Sequence, residues 1–416
     1  MPQTLKLAVA QSRTLSTTSA TLHSLEQTTK DASKNNVDLI LFPEAYLGGY
    51  PRTATFGASI GSRLPHGRDQ YLAYFHSAVD LGDTPRGAGD EWVDGKLPVA
   101  KGNTYRGDGT REELERIARE TGVFLVVGVV ERAGGSLYCA VLYICPRLGV
   151  LGKRRKVLPT GTERLVWAQG AASTLRAVTT VIKGVRVCLA AAICWENLMP
   201  LTRMALYEQN VNLYLAPTAD ARDSWVPLMR TVACESRAWV LSANQCVRRK
   251  NLPLWIREPG KSAEVEQQQD DDGNPAAATS MSTAERRRRK STITETPEHH
   301  QICWPDPSST TPKTSHTNGT GTGTSTLPPV AAASFTNTTD TSDNAFVSRG
   351  GSCIVSPLGD VVAGPLWEIE DGGLLAWSAD FEDCERGRLD LDLGGSYARR
   401  DAFHFAVEGL SLDPPP

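Results

Sequence analysis

The chain is poor in several features that would place it in a specialised class of protein. Its apolar runs fall short of the roughly 18–20 residues that a transmembrane helix needs, and its formal net charge is only −3. A balanced charge argues against nucleic acid or a membrane surface as a partner. The nine cysteines form no CxxC pair, which disfavours a disulfide framework. Because the amino-terminal residues turn polar too soon for a secretory signal, we expect a soluble cytoplasmic protein.

Histidine is also scarce, with seven in 416 residues. The cysteines and histidines show no metal-ligand spacing. The sequence therefore predicts neither a metal site nor a cofactor.

What the chain does contain is a regular alternation of apolar strands and amphipathic helices. Strands are predicted at 5–10, 37–42, 123–130, 137–144, 185–193, 211–215, 238–243, 351–357, 361–366 and 374–377. Helices are predicted after the first strand, where Leu22, Leu25, Thr29 and Ala32 have helical spacing, and near 112–120, 201–208 and 226–237. Strands that alternate with helices indicate an α/β fold.

Residues 257–342 interrupt this order. They include QQQDDD at 267–272, RRRRK at 286–290 and a Thr/Gly/Ser/Pro tract around 308–329. Such a composition cannot bury enough apolar surface to offset its ordering entropy, so we predict a disordered insertion. It would interrupt a single domain with its core at about residues 4–256 and 343–408 and a tail at 409–416. A functional arm, an inert linker and an erroneous gene model are the alternatives for this tract. A second stretch, 82–109, is rich in Gly, Pro and Asp and predicts a long surface loop.

Cys194 follows the apolar run VRVCLAAAI at 185–193, which predicts a buried strand. Pro200 suits the first turn of the helix that follows. A cysteine at such an elbow lies beside backbone N–H groups that no helix has claimed, where a thiolate and an oxyanion are both stabilised. Most single cysteines are small buried apolar residues. Cys194 therefore needs partners elsewhere in the chain.

Two segments offer those partners. Glu44 directly follows an apolar strand and a proline, so burial would raise its pKa towards that of a general base, although a solvated loop glutamate fits as well. Lys156 ends the basic cluster KRRK and precedes Val-Leu-Pro. Such clusters are more often solvated, but this context predicts that Lys156 turns inward at a strand end. Glu163 lies seven residues later, beyond a Pro-Thr-Gly turn.

Three segments together resemble the nitrilase superfamily of carbon–nitrogen hydrolases. They are FPEAYLGGYPR at 42–52, RRKVLPTGTERLVW at 154–167 and AAICWENLMPL at 191–201. The segments at 216–225, 241–245, 349–359 and 397–403 match the flanking motifs of the family. Within the superfamily, the chain is most similar to the nitrilase branch of arylacetonitrilase type. Arg154 and Ser396 depart from the pattern, because histidine is common at both positions.

The resemblance implies a fold, a site and an assembly. The implied fold is a four-layer α–β–β–α sandwich that forms homo-oligomers, as a dimer or a larger spiral. Cys194 takes the nucleophile position, Glu44 the general base and Lys156 the lysine, while Glu163 matches a second, orienting glutamate. The backbone N–H of Trp195 is the expected second donor to the oxyanion. This chemistry needs no histidine, so a Cys–His protease is disfavoured.

The implied reaction is hydrolysis of a small organic nitrile to the acid and ammonia through a thioimidate and a thioester on Cys194. Tyr50, Trp167 and Trp195 are candidate substrate contacts, and core packing explains them equally well. Cyanide hydration, release of an amide and hydrolysis of small amides are alternative activities. An inactive scaffold with a partner-binding arm is the alternative that is not an enzyme.

Overall fold

The computed structural model describes residues 3–220, 222–257 and 342–412, together with the backbone of two short strands within 257–342. The chain divides into two units, Met1–Glu258 with Phe335–Pro416, and Pro259–Ser334. Everything below concerns the first unit. The predicted disorder at 257–342 falls almost entirely outside the described residues and stays a prediction, as do the domain boundaries.

The first unit is built from strands and helices in alternation, which confirms the predicted α/β class. The strands are β1 (Thr4–Gln11), β2 (Leu39–Leu41), β3 (Ala58–Ser59), β4 (Ser62–Arg63), β5 (Phe124–Ala133), β6 (Ser136–Cys145), β7 (Gly149–Arg155), β8 (Val178–Ile182), β9 (Val185–Ala191), β10 (Leu213–Leu215), β11 (Trp239–Ser242) and β12 (Cys246–Arg248). After the two strands of the insertion, β13 (Ile293–Glu295) and β14 (Gln301–Cys303), come β15 (Phe346–Val355), β16 (Val361–Trp367) and β17 (Gly373–Asp380). The helices are α1 (Thr18–Lys34), α2 (Pro65–Ser77), α3 (Asp90–Val93), α4 (Thr110–Thr121), α5 (Pro200–Tyr207), α6 (Trp225–Ser236) and α7 (Glu382–Gly387).

Two large sheets form the middle of the unit. The first has the strand order β17-β1-β2-β5-β6-β7, and the second has the order β12-β15-β11-β10-β9-β8 with β16 paired to β15. Alternate residues of each strand face opposite sides. In β1, Leu5, Leu7 and Val9 therefore join a core shared with Val187 and Leu189 of β9.

The outer faces of both sheets are covered by helices. Ala8 and Ala10 of β1 pack with Leu25 of α1 and Leu114 of α4. On the other side of the unit, Cys188 and Ala190 of β9 share a core with residues of α5 and α6. The layers follow the order α–β–β–α, as the resemblance implied.

Parallel pairing brings the chemistry-bearing segments to one edge. In the first sheet β1, β2 and β5 are parallel, and in the second sheet β9, β10 and β11 are parallel. The carboxyl ends of parallel strands lie at the same edge, where open α/β sheets usually place their sites. Glu44 follows β2, Cys194 follows β9, and Lys156 follows β7.

Some elements were not predicted. Strand β7 was predicted only as a strand end at Lys156, without a range, because three of its seven residues are Lys153, Arg154 and Arg155, which hide the apolar pattern. Strand β8 and helix α2 were missed. The loop prediction for 82–109 was partly wrong, because this stretch includes α3, and Trp92 within α3 is 3% exposed. None of the helices in the described ranges combines the length and apolar character that a bilayer crossing requires.

Candidate active site

Glu44 is fully buried at the end of β2. Its segment lies against β5, because Phe42 donates its N–H to the carbonyl of Val126 at 2.8 Å. Gly128 permits this contact, since a Cβ there would come within 2.0 Å of the Pro43 carbonyl oxygen. From the other sheet, the side-chain amide of Gln245 donates to the Glu44 carbonyl at 2.9 Å. Both sheets therefore hold the segment in place.

Lys156 directly follows β7 and has no exposed surface, so the predicted inward turn is confirmed. Its N–H donates to the carbonyl of Cys139 at 2.7 Å. Its ammonium Nζ donates to Glu44 Oε1 and to Glu163 Oε2, both at 2.7 Å. The lysine therefore joins two carboxylates that are 119 positions apart in sequence (163 − 44).

Glu163 lies in the first turn of a 3-10 helix at Gly161–Leu165. Its Oε2 also accepts the backbone N–H of Thr160 at 2.8 Å, and its Oε1 accepts the hydroxyl of Tyr50 at 3.0 Å. Each carboxylate oxygen of Glu163 thus has a fixed partner. This places the residue where it can orient Lys156.

Cys194 occupies an elbow between β9 and a 3-10 helix at Cys194–Leu198. Its φ of +53° is uncommon for a residue other than glycine. The side-chain amide of Asn197 donates to the Cys194 carbonyl at 2.7 Å and to the Ala192 carbonyl at 2.8 Å, which stabilises this conformation. The N–H of Cys194 itself is donated to the carbonyl of Pro217, at 2.9 Å. The N–H of Trp195 stays the predicted oxyanion donor.

The electrostatics of the buried groups set the protonation states of the resting site. Burial raises the pKa of Glu44 to about 7, against the opposing effect of the Lys156 ammonium. Burial and the Glu44 carboxylate also raise the pKa of the Cys194 thiol. For Lys156, burial disfavours the charged form, but the attraction of Glu44 and the neighbouring groups outweighs it and raises the pKa. The resting site therefore holds an ammonium, a carboxyl group that titrates near neutrality and a protonated thiol.

One carboxylate oxygen of Glu44 is free to accept a proton. Its Oε1 accepts from Lys156 and lies 3.6 Å from the sulfur of Cys139. Its Oε2 is buried and accepts no hydrogen bond from the described residues. The thiol of Cys194 lies near enough to help lower the pKa of this carboxyl group. The free oxygen can therefore take up a proton.

A third buried carboxylate fixes the lysine and cysteine segments to each other. Glu196 accepts the N–H groups of Val157 and Leu158 on Oε1 and of Ile193 on Oε2, at 2.8–3.2 Å. Arg154, the departure from the family pattern, supplies the cation for this carboxylate. Although such basic clusters are more often solvated, Arg154, Arg155 and Lys156 are at most 3% exposed.

The three candidate aromatic residues lie in different environments. Trp167 packs edge-on to Tyr50 with ring centroids 5.6 Å apart, and the Lys156 Nζ lies 5.6 Å from its ring centroid. Both residues therefore border the candidate catalytic groups. The indole of Trp195 is 36% exposed and instead donates to Asp220 at 2.9 Å beneath the guanidinium of Arg222.

Sequence reasoning missed three contacts of the site. The hydroxyl of Thr218 donates to the Cys194 sulfur at 3.2 Å, Gln245 holds the Glu44 segment, and Cys139 lies beside the Glu44 carboxylate. Thr218 and Gln245 fall inside the flanking motifs 216–225 and 241–245, and these motifs could have indicated that both residues lie near the site. No motif indicated Cys139, because it is one residue within the apolar strand β6. Within the described ranges, no group of three or more His, Cys, Asp and Glu side chains is placed to hold a metal ion.

Comparison of the sequence with models of known families agrees with this geometry. Residues 6–388 match the model of the carbon–nitrogen hydrolase family. The chain belongs to the carbon–nitrogen hydrolase family. It is therefore a hydrolase acting on carbon–nitrogen bonds, and the predicted membership of the nitrilase superfamily is confirmed.

Named relatives of this carbon–nitrogen hydrolase cover nearly its whole length. It is 32% identical to an arylacetonitrilase of Trametes versicolor over 98% of each chain. It is also 32% identical to an aliphatic nitrilase of Sinorhizobium fredii, over 94% of this chain and 90% of that one. A solved structure from Saccharomyces cerevisiae, a member of branch 10 of the nitrilase superfamily, covers 95% of this chain and 97% of its own, with a TM-score of 0.52 and 14% identity. At that identity the structure supports the fold alone.

Proposed function

We propose that this hydrolase converts an organic nitrile to the carboxylic acid and ammonia through a covalent adduct on Cys194. The observation that carries the proposal is the buried Lys156 ammonium, which joins Glu44 and Glu163 beside the thiol. Full-length similarity to an arylacetonitrilase and an aliphatic nitrilase supports nitriles as the substrate class.

The first half of the reaction makes the thioester. Glu44 accepts the thiol proton while the sulfur of Cys194 adds to the nitrile carbon, and a proton passes to the nitrogen to give a thioimidate. Water then adds to that carbon, and the carbon–nitrogen bond breaks with release of ammonia. Lys156 and the backbone N–H of Trp195 stabilise the negative charge that develops on the nitrogen or oxygen bonded to the carbon under attack.

The second half releases the product. Glu44 takes a proton from a second water molecule, which attacks the thioester carbon. The carbon–sulfur bond then breaks, the acid leaves, and the thiol is restored. If the tetrahedral intermediate formed from the thioimidate instead expels the sulfur, the product is an amide. The ratio of acid to amide depends on differences of about 1–2 kcal/mol in how the same groups stabilise the two transition states.

The decisive experiment measures ammonia release from phenylacetonitrile, an aliphatic dinitrile, cyanide and the amides that match these nitriles. We expect acid and ammonia from at least one organic nitrile, and a mass-shifted Cys194 peptide in protein trapped during turnover. The Cys194→Ala variant is the control and should release no ammonia. Turnover of amides alone, or of cyanide alone, would reject the proposal.

We also propose that the protein works as a homo-oligomer in a reducing compartment such as the cytoplasm, where Cys194 stays reduced. The support for assembly is an apolar surface beside α5, where Leu198, Leu201 and Phe403 are at least 50% exposed. Light scattering after gel filtration would test this. A monomeric wild type, or a Leu201→Glu variant with unchanged mass, would contradict pairing through this surface.

A further inference from the structure

The hydroxyl of Thr218 lies 3.2 Å from the sulfur of Cys194, the proposed nucleophile. Thr218 follows β10 and has no exposed surface. Its N–H donates to the carbonyl of Ala243 at 2.9 Å, and the preceding residue, Pro217, accepts the N–H of Cys194. The backbone at 217–218 is therefore fixed both to the neighbouring strand and to the cysteine elbow.

The direction of the hydroxyl proton follows from what else the oxygen does. Thr218 Oγ1 accepts the backbone N–H of Asp220 at 3.0 Å. A hydroxyl has one proton to donate, and the acceptor on the other side of Oγ1 is the Cys194 sulfur, at 3.2 Å. Asp220 is held in turn, because its carboxylate accepts the indole N–H of Trp195 at 2.9 Å. The threonine is thus built in as a donor to sulfur.

We propose that Thr218 is a further catalytic residue, whose hydroxyl stabilises the Cys194 thiolate when it forms and when it leaves the thioester. This inference rests on the proposed role of Cys194 as the nucleophile. A hydrogen bond to an anion is roughly twice as strong as one to a neutral group. The contact therefore favours the thiolate over both the resting thiol and the carbon-bound sulfur, and a contact of this differential kind accelerates a reaction.

Such a donor is needed because the surroundings of the sulfur otherwise oppose its ionisation. Burial, Glu44 and Glu163 all raise the pKa of the thiol, while Lys156 and the Thr218 hydroxyl lower it. Tyr50 and Arg222 also interact with this sulfur. Lys156 is shared with two carboxylates, whereas the Thr218 proton is given to the sulfur alone.

The test measures the alkylation of Cys194 by iodoacetamide as a function of pH, followed on the Cys194 peptide by mass spectrometry. For Thr218→Val we expect alkylation near neutral pH to slow by about ten- to a hundredfold, with the titration midpoint raised by about one pH unit or more. Thr218→Ser keeps the hydroxyl and should restore most of the rate. The same threonine-to-valine change at Thr29, whose hydroxyl donates to Leu25 within α1, should leave the rate unchanged.

A folded Thr218→Val variant with a wild-type alkylation profile overturns the proposal, and so does a Thr218→Ser variant as slow as valine. If the valine variant fails to fold, Thr218→Ala takes its place. Failure of both to fold would assign Thr218 a structural role and reject the catalytic one. Because alkylation needs no nitrile, these outcomes are separate from a failure of the proposed function, which would appear as absent ammonia release by the wild type.

Discussion

The guanidinium of Arg154 lies 2.6 Å from the carboxylate of Glu196, and the two side chains are 1% and 0% exposed. This ion pair sits inside the molecule between the segment that carries Lys156 and the elbow that carries Cys194. Removal of one member of a buried pair leaves an uncompensated charge, which is far more costly than the loss of an exposed pair.

We therefore expect Arg154→Met to lower the free energy of unfolding by about 3–5 kcal/mol, as measured by urea denaturation. Arg186→Met, at an exposed position of β9, should change it little. The double variant with Glu196→Gln should be less unstable than the sum of the two single changes, because it leaves no unpaired carboxylate. Equal effects of Arg154→Met and Arg186→Met would contradict the role of the pair.

The raised pKa of Glu44 predicts the acid limb of the pH profile. Glu44 must be ionised to accept the thiol proton, and burial places its pKa at about 7. The value of kcat/KM for a nitrile should therefore rise with pH through about 7 and be lost below it, with the slope of a single proton. Glu44→Gln should lower kcat by about 10²–10⁴-fold, whereas Glu235→Gln, which alters a carboxylate paired with Arg203, should keep the wild-type profile. A wild-type rate that is flat between pH 5 and 8 would argue against Glu44 as the base.

Lys156 affects the same titration. Its ammonium lowers the pKa of Glu44, so its removal in Lys156→Ala should move the acid limb of any residual activity to higher pH. The rate should fall steeply as well, since the charge that stabilises the intermediate is lost. Titration of the Glu44 carboxyl by infrared difference spectroscopy measures the shift without turnover. An unchanged Glu44 midpoint in this variant would show that the two groups are not coupled.

The hydrogen bond from Tyr50 to Glu163 predicts which kinetic constant a Tyr50→Phe variant will change. If the hydroxyl positions Glu163, its loss should lower kcat by about tenfold and leave KM nearly unchanged. If Tyr50 mainly contacts the substrate, KM should rise instead. Tyr71→Phe, at a half-buried tyrosine of α2, is the matched control, and steady-state kinetics on one nitrile separates the two cases.

The residues on either side of the insertion are hydrogen-bonded to each other. Lys250 donates its N–H to Asp343, and Arg249 donates to Ala345, both at 2.9 Å. Because the closure entropy of a loop grows slowly with its length, replacement of residues 259–341 by a Gly/Ser linker of about eight residues should preserve the fold and turnover. Thermal unfolding and ammonia release measure both. Loss of either would assign the insertion a structural or assembly role.

The strands and helices were largely predictable because apolar residues follow a period of two or 3.6 along them. Strands β9 and β11 and helix α5, which begins at Pro200 as expected, were found to within one or two residues. The same signal failed at β7, where cations face the protein interior, because a residue pattern does not reveal where the partners Glu131 and Glu196 will lie. The beginning of β15, at Phe346, was missed by five residues because Ser348, Arg349 and Gly350 interrupt its apolar pattern.

For the site, the motifs identified Glu44, Lys156, Glu163 and Cys194, and the structure brings these four into one buried cluster. The contacts of Thr218 and Cys139 depend on the order of strands within one sheet, and the contact of Gln245 with the Glu44 segment depends on how the two sheets are stacked. That stacking follows from packing across the shared core, which local residue patterns do not specify. The position of the Trp195 indole, turned towards Asp220, depends on the neighbouring loops after β9 and β10 of the second sheet.

Gly128 allows the segment that carries Glu44 to lie close to β5, at a cost in the local stability of that strand. In the interior of a strand, glycine costs about 0.5–1 kcal/mol relative to alanine, and its neighbours in β5, Val127 and Val129, are fully buried. Yet even a single methyl group there would strike the Pro43 carbonyl and displace the carboxylate that follows it. The hydrolase therefore keeps a weak point in its central sheet, and stabilising substitutions chosen by strand propensity alone would damage the enzyme at this position.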